Sequence, residues 1–439
     1  TSSKVKGVKY HANLSSPEVF NFSLAQFEKI TSLPKHFPSH YPTSKWVKPD
    51  QRENKPFMPQ KPHFNYEATR DTIRHFVEGI GDTNPLFSDK EYAKKSKYGC
   101  IVAPGSFLYT RQWTLQGGGL TGIHGWYSGA EWEWYRPIYV GTELSTVGII
   151  RENVVKKGRM AGGGDIHIGY SDIVYSNTDS GELLGKQHGY GVRTDRASAG
   201  GAGKYRNLEE PVYSKEDWLK ILELYDKEEI RGSEPRYWEN VKVGDKLGPM
   251  IKGPLTVRDE LGWLMGGGSP FFRAHKLEME YEARHPKVLE YVEETGEADV
   301  PELVHIFDHF ARGIGVEKAY DYGNQRMSWL CNLLTNWMGD DGFLWKMSGN
   351  LRVFNQIGDL TIFEGEVTKK YIEDGKCCVD VEAWAKNQRG EWSMPPHTST
   401  VILPSKEHGP VVYPDPSPEM VEEVKKARPL YDMIKEGLI

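Results

Sequence analysis

The sequence predicts an α+β protein assembled from two related halves. Two observations lead there. A helical stretch, a glycine that opens a second and apolar helix, and an antiparallel meander follow one another twice along the chain. The chain's 439 residues also exceed what one ordinary core holds, so two domains are expected. Hydrophobic residues at 38%, with 12% aromatic, are enough to fill two such cores.

The elements follow in order. Residues 1–62 are punctuated by Pro34, Pro38, Pro42, Pro49, Pro56, Pro59 and Pro62 with aromatics between them, and are predicted to form an extended arm. Residues 63–196 form the first domain. Its leading helix starts at Thr69-Arg70-Asp71 and ends at Gly81-Asp82-Thr83-Asn84-Pro85-Leu86-Phe87, and Gly105 opens its second helix. Strands over 165–175 and 183–192 flank a turn at Asn177-Thr178-Asp179-Ser180-Gly181. A linker, 197–235, contains Gly200-Gly201 and a short helix from Ser214 to about Lys227, which Ser214 and Asp217 can cap. The second domain spans 236–405. Its leading helix runs from Val257-Arg258-Asp259 to Gly266-Gly267-Gly268-Ser269-Pro270, and an insertion over about 273–300 follows. Gly323 opens a long helix whose Met327, Leu330, Cys331, Leu334, Trp337 and Met338 make an apolar stripe for packing on a sheet. Strands over 361–368, 377–385 and 398–403 complete the meander, with an Asp374-Gly375 hairpin turn between the first two. Residues 406–439 are a tail with a helix.

Composition excludes several classes. A net charge of −6 with 26% charged residues offers no basic face for nucleic acid or an anionic membrane. No apolar run approaches the ~20 residues of a membrane helix, and Thr1-Ser2-Ser3-Lys4 begins no signal-like apolar core. Four cysteines, Cys100, Cys331, Cys377 and Cys378, form no CxxC pair, so no metal or redox site is expected. A reducing, cytoplasmic setting fits them.

One stretch carries a family resemblance. Gly81-Asp82-Thr83-Asn84-Pro85-Leu86-Phe87-Ser88-Asp89, with Ala93 six positions beyond Phe87, resembles the catalytic loop of MaoC-like (R)-specific enoyl-CoA hydratases. That loop is close to Gly-Asp-x-Asn-Pro-(Ile/Leu)-His-x-Asp, and its Asp and His are the catalytic pair. Ile101-Val102-Ala103-Pro104-Gly105 stands where the family carries Ile-x-His-Gly before its central helix. The resemblance spans about 64–195 and 236–403. It implies a tandem, double hotdog fold, each half an antiparallel sheet wrapped around a long central helix. It further implies a hydro-lyase acting on a 2-enoyl-CoA, coenzyme A arriving as part of the substrate with no separate cofactor, in a homodimer or higher homo-oligomer.

The two halves keep different pieces of the pattern. In the first, Phe87 replaces the histidine, which implies a largely non-catalytic domain. In the second, Val304-His305-Ile306-Phe307-Asp308-His309-Phe310-Ala311 has the histidine-to-alanine spacing, and Tyr320-Asp321-Tyr322-Gly323 matches the segment leading into the central helix. Val300 stands five residues before His305, where the family has its aspartate, flanked by Asp299 and Glu302. The candidate catalytic residues are therefore His305 with Glu302, or less favourably Asp299. Hydration needs a group that activates water and exchanges a proton at the α-carbon, which a histidine beside a carboxylate can do near neutral pH. The thioester oxygen gains negative charge, and the unpaired N–H groups at a helix N-terminus can meet it. Gly323 is the expected donor, with Tyr322 and Asp82 as substrate-binding candidates and Gly105 as the first-half counterpart of Gly323. Two other readings stay open: an acyl-CoA-binding scaffold that works with a partner subunit, and a hotdog thioesterase. Two weaker phosphate candidates are Gly266-Gly267-Gly268 and the lysine run Lys90 to Lys97, which also reads as a solvated helix face.

Overall fold

The computed structural model describes residues 56–57, 64–112, 125–157, 165–194, 211–269, 271–284, 289–292 and 297–435. Most of the predicted arm, and residues 113–124 after Gly105, lie outside the described residues. The first half contributes β1 (Pro56–Phe57), β2 (Val102–Ala103), β3 (Gly125–Trp134), β4 (Ile138–Tyr139), β5 (Leu144–Lys157), β6 (Asp165–Asn177) and β7 (Leu183–Thr194). The second contributes β8 (Lys246–Lys252), β9 (Glu290–Val292), β10 (Glu297–Asp299), β11 (Phe343–Asn350), β12 (Thr361–Glu373), β13 (Lys376–Asn387) and β14 (Trp392–Ile402). Ten of them join one antiparallel sheet in the order β1-β5-β6-β7-β3-β11-β14-β13-β12-β8. The halves thus meet edge to edge at β3 and β11, where Trp132 pairs with Met347 and Glu133 with Lys346. This seam hides an edge that each half-sheet would otherwise expose.

Local sequence explains the strands. In β12, Thr361, Phe363, Gly365 and Val367 face inward and alternate with less buried side chains, the period of a pleated strand. The hairpin to β13 turns at Asp374-Gly375, both with positive φ (48° and 75°), as the Asp-Gly pair predicts.

The helices are α1 (Arg70–Ile80), α2 (Lys90–Lys95), α3 (Lys215–Asp226), α4 (Val257–Gly266), α5 (Lys276–Arg284), α6 (Asp308–Gly313), α7 (Gly323–Met338) and α8 (Pro418–Lys435). Their starts follow the caps. Thr69 accepts from Thr72 N at 3.1 Å, and Ser214 and Thr256 each form a reciprocal box with an aspartate three residues on. Helices α1 and α4 cross at backbone contact. A Cβ on Gly79 would lie 2.5 Å from Gly262 O, and one on Gly266 2.3 Å from His75 O. In α7 every residue from Asn324 to Trp337 is buried. The predicted apolar stripe packs on the sheet, and the polar residues are buried as well, Asn332 beside the first-half loop around Asp82 and Arg326 against Asp321 and the Val353 and Ser393 carbonyls.

The first half departs from expectation at Gly105. The described residues there form a six-residue 3-10 helix, Gly105–Thr110, in place of the start of a long helix. The Trp134 ring closes on this turn: its Nε1 donates to Gly105 O at 3.0 Å, and a Cβ on Gly105 would meet the ring at 2.7 Å.

Candidate active site

The N-terminus of α7 lies at the centre of the second half. His305 ends a 3-10 helix, Pro301–His305, with proline at its start. A 3-10 turn eclipses positions i and i+3, so Glu302 and His305 project from the same face of it. His305 Nδ1 lies 2.7 Å from Tyr320 O. A carbonyl only accepts, so Nδ1 carries the hydrogen, and in the neutral ring the basic lone pair is on Nε2. The ring stacks on Tyr322 at 3.7 Å between centroids and meets Tyr320 edge-on at 4.7 Å. Tyr322 immediately precedes Gly323, so the histidine stands beside the helix N-terminus.

Glu302 is buried, at 4% exposure, and its Oε1 accepts from Ser269 Oγ at 2.9 Å. Asp299 is elsewhere. It closes the β9–β10 hairpin, and its Oδ1 accepts from Val300 N at 2.7 Å. Pro301 keeps Val300 extended (φ −65°, ψ 149°). Asp308 and His309 serve local structure: Asp308 Oδ1 accepts from Ala319 N at 2.9 Å, and the His309 ring stacks on Phe307.

The first half closes one wall of the site. A Cβ on Gly323 would lie 2.5 Å from Leu351 Cδ1 and 2.7 Å from Tyr127 Cδ1, so only glycine fits between them. Tyr127 shares a hydrogen bond of 2.7 Å with Tyr109, which accepts from Trp132 Nε1 at 2.8 Å. Trp126, also on β3, packs with Val304, Phe310 and Tyr320. Nothing in the spacing of the chain singles out β3 for this role.

Beneath the turn, Arg326 makes a bidentate pair with Asp321, both almost fully buried. Arg326 also donates to Val353 O at 2.6 Å and Ser393 O at 3.2 Å, and Asn355 Nδ2 donates to Asp321 at 3.2 Å. The segment before α7 is thereby tied to the sheet. Asp321 was legible as part of the Tyr320–Gly323 motif, whereas Arg326 carried no signal.

Asp82, also a substrate-binding candidate, lies apart from Gly323 and Tyr322. Its Oδ1 accepts from Asn84 N at 2.9 Å, and it lies near Lys252 and Asn332. Asn332 is nine residues along α7 from Gly323, about 13 Å of helix. Lys252 Nζ donates to Gly81 O and Asn332 Oδ1, both at 2.9 Å, so the loop is clamped onto the middle of α7. Phe87, at the family's histidine position, is buried at 4% exposure and makes this half a packed counterpart of the site. The three glycines 266–268 also pack: side chains there would run into His75, Trp263 and Phe64.

Burial raises the Asp82 carboxyl to about 6, with Lys252 opposing. The folded state therefore holds this proton more tightly than the unfolded chain. The resulting stabilisation is complete below about pH 4 and is lost as pH rises through about 6. The shift from 3.8 corresponds to about 3 kcal/mol. Asp82→Asn removes the titration, so the loss of unfolding free energy between about pH 4 and 7 should shrink by that order. Denaturant unfolding at several pH values checks it, and identical pH slopes in the two proteins would refute it.

Comparisons with known proteins agree with this architecture. Residues 60–178 match the family model described as FAS1-like, dehydratase domain region. A solved MaoC-like dehydratase superposes with a TM-score of 0.55, covering 80% of this chain and 98% of that one at 17% identity. The chain has the double hotdog fold, similar to that MaoC-like dehydratase. The resemblance read from the Asp82–Ala93 stretch is thus borne out, and so is the fold class it implied. Sequence relatives match over short stretches. A probable enoyl-CoA hydratase alpha subunit of Thermomonospora curvata is 44% identical over 45 residues, 10% of this chain and 14% of that protein. A UPF0336 protein of Streptomyces avermitilis is 43% identical over 44 residues, 10% of this chain and 29% of its own. The matches thus span less than a third of either relative. Among the described residues of this double hotdog, no helix is long and apolar enough to cross a membrane, and no three His, Cys, Asp or Glu side chains gather to hold a metal.

Proposed function

We propose that the second half is a hydratase centre that adds water reversibly across the 2,3 double bond of an enoyl-CoA thioester. The observation that carries this reading is the placement of His305, with Nδ1 anchored on Tyr320 O and its ring stacked on the residue before Gly323. His305 Nε2 takes a proton from water as the water oxygen bonds to the β-carbon. The electron pair of the double bond moves toward the thioester, and the Gly323 N–H with the α7 dipole meets the charge on its oxygen. The α-carbon then takes up the proton from His305 as the enolate collapses. Glu302, on the same face of the turn, is the carboxylate that holds the attacking water. The first half, with Phe87 in place of histidine, supplies a wall through Tyr127. A hydratase name on a sequence relative and a dehydratase model over 60–178 support the reaction class.

The test is a panel of 2-enoyl-CoA thioesters followed by the absorbance of the conjugated double bond, with a thiol assay in parallel. Loss of absorbance without thiol release is expected. Thiol release without hydration would replace this reading with a thioesterase, and binding without either reaction would replace it with an acyl-CoA scaffold.

A further inference from the structure

Glu260 is the most deeply buried carboxyl group near the site, and the proposed reaction does not use it. It lies on α4 with 0% exposure, and neither carboxyl oxygen makes a hydrogen bond of acceptable geometry. Counted from the helix cap, it stands four residues after Thr256. The same position in α1, four residues after Thr69, is Ile73, also 0% exposed. Two paired helices of the same fold therefore differ by a carboxyl group in place of an aliphatic side chain at equal depth. An acid is a poor choice for filling that space, since a buried polar group without partners is strongly unfavourable.

We propose that Glu260 is a positioning residue: its buried carboxyl group braces the Tyr322–Gly323 turn, and through it the ring on which His305 stacks. Its surroundings fit the role. The groups that face it are Asp259 on its own helix, Asp321 and Arg326 from the α7 segment, and the Tyr322 backbone N–H. Arg326 is already engaged by Asp321. One turn along α4 from Glu260, the Trp263 ring lies 6.2 Å from the Tyr322 ring, whose neighbour at 3.7 Å is His305. Burial first, then Asp321 and Asp259, raise the carboxyl well above its ordinary range, with the Tyr322 N–H and Arg326 opposing. The shift favours the neutral acid. This matters because a helix N-terminus carries about half a positive charge. A carboxylate there would cancel it, whereas a neutral acid leaves it for the thioester oxygen.

The kinetic consequence rests on the hydratase reading, so the test has a readout that does not need turnover. Glu260→Ile copies the α1 arrangement and should fold. It is expected to lower kcat by about 10–100-fold with KM nearly unchanged, as a misplaced reacting geometry does. It should also shift the His305 ring resonances in NMR spectra of the free protein. Glu260→Gln, neutral and of the same shape, should rescue both, with an unchanged pH profile. A loss of about 100-fold or more in Glu260→Gln would show that an ionisable group is needed and overturn the proposal. Wild-type His305 resonances and kcat in Glu260→Ile would overturn it as well. If the wild-type protein hydrates no enoyl thioester, the hydratase reading fails, and the resonances of the two variants still decide whether Glu260 holds the turn.

Discussion

His305→Ala is expected to lower kcat/KM for enoyl-thioester hydration by about 10²–10⁴-fold, the range of a general acid–base group. The fold should survive, because the His305 ring is only half-buried. Glu302→Gln should cost about 10²-fold or more, since Gln keeps the length of the side chain but removes the charge. Asp299→Asn and His309→Ala should stay within about tenfold of wild type, since Asp299 bonds its neighbour's N–H and His309 packs on Phe307. Steady-state kinetics on the four variants, with circular dichroism to verify folding, make the check. Full activity in His305→Ala would remove the mechanism. A loss of several orders of magnitude at His309 instead would move the histidine role one turn along the chain.

The second large effect is on stability. Arg326→Met leaves Asp321 buried without its bidentate partner, and breaking a buried ion pair by removing one member typically costs about 3–5 kcal/mol. The Val353 and Ser393 carbonyls lose a donor at the same time. Adding Asp321→Asn removes the orphaned charge, so the double variant is expected to recover a large part of the loss. Equilibrium denaturation of the two single variants and the double gives the coupling. Additive losses would show that the pair does not act as a unit. Because the pair anchors the segment into α7, Arg326→Met should also lower kcat even where the protein remains folded.

Much of the fold was legible because its signals are local. Thr69, Ser214 and Thr256 announce helix starts through bonds made within three residues, and Asp374-Gly375 announces a hairpin through its own backbone preference. The inward period of β12 needs no knowledge of the rest of the chain. The placement of His305 beside Gly323 was also within reach, since motif spacing on both sides of the α6 segment pointed to it. Asp299 and Glu302 could not be separated by position alone. The 3-10 turn at Pro301 aligns Glu302 with His305, while Asp299 sits at the β9–β10 pair and bonds its neighbour's N–H.

Other features depend on what a distant segment covers. The polar residues of α7, among them Arg326 and Asn332, resemble a solvated face in sequence and are buried, Asn332 beside Lys252 and Arg326 against Asp321 and the Val353 and Ser393 carbonyls. Asp82 has the family's motif position, yet it packs against the middle of α7 while Phe87 fills the place of its partner. Tyr127 reaches Gly323 from the other half of the sheet, across the β3–β11 seam. Glu260 differs from an ordinary surface glutamate only in being enclosed by Trp263, Tyr322 and the buried ion pair. The sequence by itself determined two helix-then-meander units, their caps and turns, and the segment that carries the candidate histidine, because periodicity and capping act over a few residues. The tertiary structure alone decided which charges are buried, which tautomer His305 adopts and which half supplies the wall of the site. Burial, desolvation and ring stacking depend on segments brought together from far apart in the chain.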